Sequence, residues 1–275
     1  MKEKVAIQGV GGSYHHQAAI EYFGDPNIQI VPCDTFKELV EFVSSDEVPF
    51  GLMAIENSIA GSILPNYGLL HRYELKVIGE IYMPIHHHLL ALPGQKLEDL
   101  HQVRSHYMAL LQCDQFFEDK KYIKLVEEVD TAKVAQQIQQ ENLMGVGAIA
   151  SKICADIYGL NILSDAIQNN ADNFTRFFVV QKETAHVEAA NKASIRFELD
   201  HQKGSLARFL TVIWELGMDL TKIQSAPIAN KPWAYAFFVD LLFEDPFQIK
   251  SLDQKLKEFS QDFQWLGTYK NGNQS

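Results

Sequence analysis

Short apolar runs alternate with segments of helical periodicity from the N-terminus to residue 182. Behind Thr35 and Glu38, which form a capping-box pattern, apolar side chains recur at the spacing of one helix face. Asp130 or Thr131 begins another segment of this kind. The alternation predicts parallel sheets with helices packed on them. The predicted strands are 4–8, 28–31, 51–55, 76–85, 88–92, 122–126, 145–148 and 177–181.

A polar segment without periodicity, residues 182–192, precedes a second pattern in the order βαββαβ, which predicts a ferredoxin-like domain. Its strands are predicted at 194–199, 219–227, 233–243 and 263–269, and its helices at 204–217 and 248–259. The sequence therefore predicts an α/β chain with a two-lobed domain over 1–182 and a second domain over 193–270. Strand 76–85 would cross between the lobes and the chain would return near Asp172. The lobes would then span roughly 1–80 plus 172–182, and 81–171.

Charge and cysteine content narrow the class of partner. The 275 residues carry 35 acidic against 24 basic side chains, and the formal charge of −11 opposes attraction to nucleic acid or to an anionic membrane. A small-molecule partner is expected instead. The three cysteines are far apart and lack a CxxC pair, which favours buried thiols over a disulfide framework. Without a signal-peptide pattern or an apolar run of membrane-spanning length, we expect a cytoplasmic protein.

A glycine cluster from Gly9 to Gly12 follows the first predicted strand. A dinucleotide-binding fingerprint would need glycine at the position that Tyr14 occupies, so this partial match disfavours a nucleotide. A turn that presents backbone N–H groups and the Ser13 hydroxyl at a helix start suits a carboxylate. A simple strand-to-helix turn is the alternative interpretation.

Two further polar clusters adjoin predicted strands. Glu56, Asn57 and Ser58 follow the strand 51–55, where ligands of open α/β sheets gather, although Asn57 or Ser58 could equally cap a helix. Asn173, Thr175 and Arg176 precede an apolar strand, so a hydroxyl and a guanidinium would stand where a cleft opens.

The three consecutive histidines at residues 86–88 look like metal ligands, but their geometry argues against a metal site. Adjacent residues of a strand point to opposite faces, so residues 86–88 cannot direct three imidazoles at one ion. His106 could cap a helix or line the cleft. No metal ligand set is predicted from these positions.

Taken together, these motifs resemble those of prephenate dehydratases. The resemblance rests on Glu56-Asn57-Ser58 with Gly61, on Asn173-x-Thr175-Arg176-Phe177, and on the segment from Ser105 to Cys113. Val10, Tyr107 and Met108 depart from the family pattern. The resemblance implies a catalytic domain like the type II periplasmic binding proteins, followed by an ACT regulatory domain.

The resemblance also implies a reaction and a set of residue roles. Prephenate would lose carbon dioxide and water to give phenylpyruvate, on the route to phenylalanine, with no cofactor and no metal because aromatisation supplies the driving force. The implied catalytic residues are Thr175, Glu56 and His106, with the proton donor behind Thr175 left open between the last two. Substrate binding is implied for Ser13, Asn57, Ser58, Asn173 and Arg176.

Control by phenylalanine is implied for the second domain. Its contacts would come from Gly204, Ser205, Leu206, Ala207, Gln224, Ser225 and Pro227, in a homodimer or homotetramer with paired ACT domains. Gln224 and Ala226 replace the charged residues usual in the family. Two alternatives remain open: an arogenate dehydratase, and a non-catalytic two-lobed sensor of a small molecule.

Overall fold

The computed structural model describes residues 3–199, 202–228, 231, 233–259 and 262–272. These residues form three sheets: one in each of two lobes, and one in a C-terminal domain. The mixed α/β class, the two lobes and the C-terminal βαββαβ unit confirm the predicted fold class.

The first lobe is built on a mixed sheet with the order β2-β1-β3-β11-β5, in which β1 pairs in parallel with β2 and β3, and a short β4 pairs with β3 in the antiparallel sense. β11 is antiparallel to both neighbours, because the chain returns from the second lobe to fill the gap between β3 and β5. The strands are β1 Lys4–Gln8, β2 Gln29–Cys33, β3 Phe50–Asn57, β4 Gly61–Ser62, β5 Lys76–Pro84 and β11 Phe174–Gln181. The helices are α1 Tyr14–Phe23, α2 Phe36–Ser44 and α3 Leu64–Arg72.

The second lobe has a sheet with the order β10-β6-β9-β7-β8. Its strands are β6 His88–Ala91, β7 Gln102–His106, β8 Lys124–Glu128, β9 Val146–Ala150 and β10 Asn161–Ser164. Its helices are α4 Tyr107–Gln112, α5 Asp114–Phe117, α6 Thr131–Gln140 and α7 Lys152–Tyr158, with a 3₁₀ turn at Leu97–Asp99.

The structure begins β11 at Phe174 rather than at residue 177, so that Thr175 and Arg176 lie inside the strand, shifts β8 and adds three strands. β8 begins at Lys124 rather than at Tyr122, because the preceding residues close a turn in which the Ile123 amide bonds to the Lys120 carbonyl at 2.9 Å. β4, β7 and β10 were not predicted. β4 has only two residues, and β7 and β10 carry too few apolar residues to show a period; their pairing comes from neighbouring strands.

The C-terminal sheet has the antiparallel order β13-β14-β12-β15, which is the ferredoxin-like arrangement. Its strands are β12 Lys192–Glu198, β13 Asp219–Pro227, β14 Tyr235–Leu242 and β15 Phe263–Tyr269, and its helices are α8 Ser205–Glu215 and α9 Pro246–Phe259. The face of α8 that packs on this sheet carries Phe209, Val212 and Ile213, all buried, whereas Leu210 is exposed.

The C-terminal sheet packs directly on the first lobe. One apolar cluster contains Tyr67 and Phe178 from the first lobe together with Phe238 and Tyr269 from the C-terminal sheet. The backbones come so close that a Cβ on Gly267 would stand 1.9 Å from the Val77 carbonyl oxygen. Glycine is therefore required where β15 crosses β5, and the two domains share a core.

Among the described residues, no helix combines the length and the hydrophobicity that crossing a lipid bilayer requires.

Candidate functional site

A cavity of about 630 Å³ lies between the two lobes. Three strands end at it: Gln8 closes β1, Asn57 closes β3 and His106 closes β7, and all three residues line the cavity. The carboxyl edge of an open α/β sheet is where ligands are expected. Of the residues predicted from the sequence, the structure brings Ser13, Asn57, His106 and Thr175 together here.

Strand alternation decides which predicted residues reach the cavity. In β11, Thr175 and Phe177 line it, while Arg176 between them points to the opposite face of the sheet. β3 shows the same division, because Asn57 lines the cavity and Glu56 lies on the other side. The two strands are in register, with Thr175 opposite Asn57 and Arg176 opposite Glu56. The sheet therefore has a cavity face and a face toward the C-terminal domain.

The Thr175 hydroxyl is oriented by its neighbour. Its Oγ1 accepts a hydrogen bond from Asn57 Nδ2 at 3.0 Å. The orientation of the Asn57 amide is unambiguous, because its Oδ1 accepts from the backbone N–H groups of Ile59 and Ala60 at 3.0 and 2.9 Å. Since the Thr175 oxygen already serves as an acceptor, its proton is free to be donated to a ligand in the cavity.

Three helices of nine or ten residues point their N-termini at the cavity. Their N-caps Ser13, Thr35 and Asp130 all line it. Within the described part of the chain, no lysine or arginine lines the cavity. Helix dipoles and first-turn amides therefore face the cavity and suit a carboxylate, although Asp34 and Asp130 also line it. Arg176, which the resemblance implies as a substrate ligand, does not line the cavity.

Ser13 and the glycine turn also stabilise the structure, by capping a helix and by contacting the second lobe. Ser13 Oγ accepts from the His16 amide at 3.3 Å and so caps α1. The Gly12 carbonyl accepts from Ser151 Oγ at 2.5 Å and from Cys154 Sγ at 3.1 Å, both at the start of α7. A Cβ on Gly12 would stand 2.7 Å from Cys154 Sγ. The turn is thus a contact between the lobes next to the cavity, and its absent side chain permits that contact.

Two histidines at the cavity are kept neutral. Burial lowers the pKa of His15 to about 3, and burial lowers that of His87 to about 4 despite a hydrogen bond to Gln112 that opposes the shift. His106 is different: it caps α4, its Nδ1 accepts from the Met108 amide at 3.2 Å, and it is exposed. It therefore both caps a helix and lines the cavity.

Four predicted site residues do not line the cavity. Ser58 Oγ accepts from the Phe174 amide at 2.9 Å and ties the β3–β4 turn to the start of β11. Asn173 is buried behind Thr175, where its Oδ1 accepts from Asn57 at 2.8 Å. Arg176 and Glu56 lie on the far face of the sheet. Ser58 and Asn173 thus support the site from behind, whereas Arg176 and Glu56 face the C-terminal domain.

Arg176 is the centre of a buried ion cluster between the domains. Its Nε donates to Glu80 Oε2 at 2.6 Å, its Nη1 to Asp240 Oδ2 at 2.5 Å, and its Nη2 to the Tyr269 hydroxyl at 3.2 Å. Burial alone would lower the pKa of Arg176, but the surrounding groups, led by Asp240 and Tyr269 and followed by Glu80, together outweigh it, and the pKa lies well above its ordinary value. The guanidinium is committed to the C-terminal domain and cannot reach a ligand in the cavity.

The rest of this cluster balances the charge. Lys192 Nζ lies 2.8 Å from Glu80 Oε1, so two buried cations face two buried carboxylates, Glu80 and Asp240. At its edge, Lys222 Nζ reaches Glu56 Oε1 at 2.6 Å, and Glu56 Oε2 is 3.8 Å from Arg176 Nη1. Buried charges require such pairing, so this interface is fixed in register.

The other two histidines of the 86–88 run lie away from the cavity. His88 Nδ1 is 2.5 Å from Asp165 Oδ1, and His86 Nδ1 meets Gln168 Nε2 at 3.1 Å. Only His87 lines the cavity. The three rings therefore have three different partners.

Sequence reasoning missed Tyr14, His87 and Gln112 as site residues, although all three line the cavity. Tyr14 was considered as an obstacle to nucleotide binding and as the last position of the glycine-turn motif of the resembled family. For residues 86–88 the sequence allowed one histidine at the cleft but did not say which. Gln112 stands in the segment from Ser105 to Cys113, so that similarity was the signal that could have identified it.

The residues assigned to phenylalanine lie at two places in the C-terminal domain. Gly204 precedes α8 with a φ of 87°, a left-handed conformation that favours glycine. Gln224 to Pro227 lie on β13, the edge strand of the sheet, where exposed and half-buried residues alternate. Neither segment lines the cavity between the lobes.

Comparison with known proteins decides the family. Residues 5–185 match the family described as prephenate dehydratase. The chain belongs to the prephenate dehydratase family. It is 36% identical over 269 residues to a bifunctional chorismate mutase/prephenate dehydratase of Aquifex aeolicus, covering 98% of this chain and 74% of that protein. It is 37% identical to arogenate dehydratase 2 of Petunia hybrida, covering 97% of this chain and 71% of that protein.

Solved structures show the same fold for the whole chain of this family member. A prephenate dehydratase from Arthrobacter aurescens, solved in complex with L-Phe, superposes with a TM-score of 0.87 at 23% identity, over 99% of this chain and 91% of that one. A structure described as GqqA, a novel type of quorum quenching acylase, gives a TM-score of 0.87 at 27% identity, over 98% of both chains.

The depressed pKa of His15 predicts a pH-dependent stability. Its folded-state pKa of about 3 lies below the ordinary value near 6.5, so at intermediate pH the unfolded chain binds a proton that the folded chain excludes. The free energy of unfolding should therefore fall as the pH drops from about 6.5 toward 3. At pH 5 this one group should account for about 2 kcal/mol.

Urea denaturation at pH 7 and pH 5 measures this effect. His15→Gln should reduce the difference between the two pH values by about that amount, whereas His186→Gln, at an exposed position, should leave it unchanged. An equal pH difference in the wild type and in His15→Gln would show that His15 is not protonated on unfolding in this window.

Proposed function

We propose that this family member expels carbon dioxide and water from prephenate to form phenylpyruvate in phenylalanine biosynthesis, as a decarboxylating carbon–oxygen lyase. The observation that carries the proposal is the Thr175 hydroxyl, held by Asn57 and facing a cavity at which three helix N-termini converge. Prephenate has two carboxylates and one hydroxyl across the ring. Helix N-termini suit the carboxylates, and a positioned hydroxyl suits the leaving group.

The reaction balances with no added reagent. The bond between the ring and its carboxylate breaks to release carbon dioxide, and the electron pair moves through the ring as the carbon–oxygen bond of the hydroxyl breaks. The departing hydroxide takes up a proton to become water. A threonine hydroxyl is too weak an acid to supply that proton alone, so we assign Thr175 the role of hydrogen-bond donor or relay to the leaving oxygen.

His106 is the better of the two proton donors considered. It lines the cavity, while Glu56 lies on the opposite face of the sheet and pairs with Lys222 at 2.6 Å. We therefore assign proton donation to His106 and treat Glu56 as part of the domain interface. Ser13 and Asn57 remain the proposed contacts of the substrate, and the support of Thr175 falls to Ser58 and Asn173.

The choice of substrate is tested directly. Arogenate carries an amino group in place of the keto group of prephenate, and a Petunia relative is named an arogenate dehydratase. Purified protein should be incubated separately with each compound, followed by measurement of phenylpyruvate and phenylalanine. We expect phenylpyruvate from prephenate as the faster product. Turnover of neither compound would overturn the proposal and favour a non-catalytic sensor.

The likeness to an acylase gives a further control substrate. Amide hydrolysis by threonine needs a base to activate the nucleophile. Here the partner of Thr175 Oγ1 is an amide donor, Asn57 Nδ2, which cannot take the proton. We therefore expect no release of the acyl chain when the purified protein is incubated with an N-acyl amide under conditions in which it turns over prephenate.

We propose that phenylalanine inhibits this enzyme through the domain over 193–270, in an oligomer with paired ACT domains. The A. aurescens structure of similar fold was solved with L-Phe. Binding can control the 1–182 domain only if phenylalanine has different affinity for two states, and the shared core and the Arg176 cluster connect the two domains physically.

Feedback is measured by titrating phenylalanine against the initial rate. We expect inhibition in the wild type, and inhibition at lower phenylalanine concentration in Gln224→Glu, which restores a charge that the family usually carries. Glutamate is no larger than glutamine, so the substitution should leave β13 undisturbed. Inhibition at a lower phenylalanine concentration is also a change that a misfolded protein would not produce. A rate independent of phenylalanine in both proteins would contradict the regulatory proposal while leaving the catalytic one intact.

A further inference from the structure

A chain of hydrogen bonds runs from the Thr175 hydroxyl into the second lobe. Its direction is fixed at one end by Asn57, because the two backbone amides that donate to Asn57 Oδ1 leave its Nδ2 as the donor. Nδ2 donates both to Thr175 Oγ1 at 3.0 Å and to Asn173 Oδ1 at 2.8 Å. The orientation of the Asn173 amide is thereby determined as well.

The next links cross to the second lobe. Because Asn173 Oδ1 accepts from Asn57, the Asn173 Nδ2 faces the second lobe, where it donates to Gln112 Oε1 at 3.0 Å. The same Oε1 lies 2.8 Å from His87 Nε2. Because a carbonyl oxygen only accepts, His87 must carry its proton on Nε2. Each amide in the series thus sets the orientation of the next amide, and the last one sets which nitrogen of His87 carries the proton.

The far end of the chain returns to the first lobe. With the proton on Nε2, the Nδ1 of the uncharged His87 ring is an acceptor. The Tyr14 hydroxyl lies 2.8 Å from this nitrogen and 2.8 Å from the His86 carbonyl, so these two acceptors share its one proton. The His87 backbone is also held, since its N–H donates to Gln168 Oε1 at 3.0 Å and its carbonyl accepts from the Ile167 amide at 2.8 Å. The ring is 3% exposed and is rigidly placed between the lobes.

We propose that His87, protonated on Nε2, is a positioning residue that holds Gln112 and, through Asn173 and Asn57, aligns the Thr175 hydroxyl across the two lobes. Gln112 lines the cavity, and its Nε2 makes no hydrogen bond to another described residue. Because two donors fix Gln112 Oε1, the N–H groups of Gln112 Nε2 are directed to a substrate oxygen. The proposal rests on the proposed dehydratase function and adds the element that orders both lobes around the substrate.

Kinetics of His87 variants test the alignment. His87→Leu removes the Nε2 donor. Misplacing a catalytic group by about 1 Å can lower the rate by about 10²-fold. We therefore expect kcat for prephenate to fall by about that factor with KM nearly unchanged. His87→Gln restores an N–H donor near the same point and should recover most of the loss. His88→Gln, whose side chain faces Asp165 instead, should behave as the wild type.

A spectroscopic readout separates alignment from mere packing. In ¹⁵N-resolved NMR of the full chain, the His87 ring should show the Nε2–H form, without titration between pH 5 and pH 8. An Nδ1–H form would overturn the proposal, as would wild-type kcat in His87→Leu. Equal loss in the leucine and glutamine variants would also overturn it, because a packing role predicts no recovery by a donor. A wild-type protein inactive on both prephenate and arogenate would instead overturn the proposed function itself.

Discussion

Thr175→Val should lower kcat for prephenate by about 10²–10³-fold, the effect of losing one catalytic hydrogen-bond donor, or about 2.7–4 kcal/mol. Valine has nearly the shape of threonine and favours β-strands, so β11 should form unchanged. Asn57 would keep its other two acceptors, Asn173 Oδ1 and the Phe174 carbonyl. The fall in kcat would therefore reflect the missing hydroxyl group rather than a collapse of the site. Initial rates of phenylpyruvate formation measure it.

Thr175→Ser is the matched control, because serine retains the donor and loses only a methyl group. We expect it to keep most of the wild-type turnover. A valine variant with near-normal kcat would remove Thr175 from the mechanism, and a serine variant as slow as the valine one would assign the effect to packing against the cavity wall.

Asp240→Ala should destabilise the protein by about 3–5 kcal/mol, which is the cost of leaving one partner of a buried ion pair alone. Asp240 is 2% exposed, lies 2.5 Å from Arg176 Nη1, and also accepts from Ser194 Oγ at 2.5 Å. Its removal leaves Arg176 and Lys192 facing the single carboxylate of Glu80. Chemical denaturation at pH 7 measures the change in the free energy of unfolding.

Glu215→Ala is the control within the same domain. Glu215 pairs with Lys255 at 2.9 Å, but both side chains are well exposed to solvent, so the expected change is about 0–1 kcal/mol. Comparable losses in the two variants would contradict the idea that burial gives the Arg176 cluster its importance. A small loss in Asp240→Ala would show that water enters the interface and solvates Arg176.

The sequence predicted the local elements well because their causes are local. The Thr35 and Glu38 pattern predicted the start of α2, and the Thr35 side chain does accept from the Glu38 amide at 3.1 Å. The polar clusters at the ends of β3 and β11 were singled out from the sequence, and Asn57 and Thr175 of these clusters line the cavity. In contrast, the short β4 and the polar β7 and β10 exist only through pairing with strands distant in sequence.

Arg176 shows where local reasoning stops. Its place beside Thr175 in the sequence suggested a shared ligand, but a strand sends consecutive side chains to opposite faces. Which face becomes a cavity depends on where the second lobe and the C-terminal sheet pack. The partners of Arg176, Glu80 and Asp240, are separated from it by 96 and 64 positions. No periodicity in the chain marks such a pairing.

The sequence by itself determined the α/β class, the βαββαβ unit and the presence of Asn57 and Thr175 at strand ends, because strand and helix periods and capping patterns are short-range properties. Only the tertiary structure decided that Asn57 orients Thr175, that helix N-termini rather than Arg176 face the cavity, and that His87 bridges the lobes. These outcomes depend on distances between residues far apart in the chain, and such distances are set by how sheets pack rather than by any neighbouring residue.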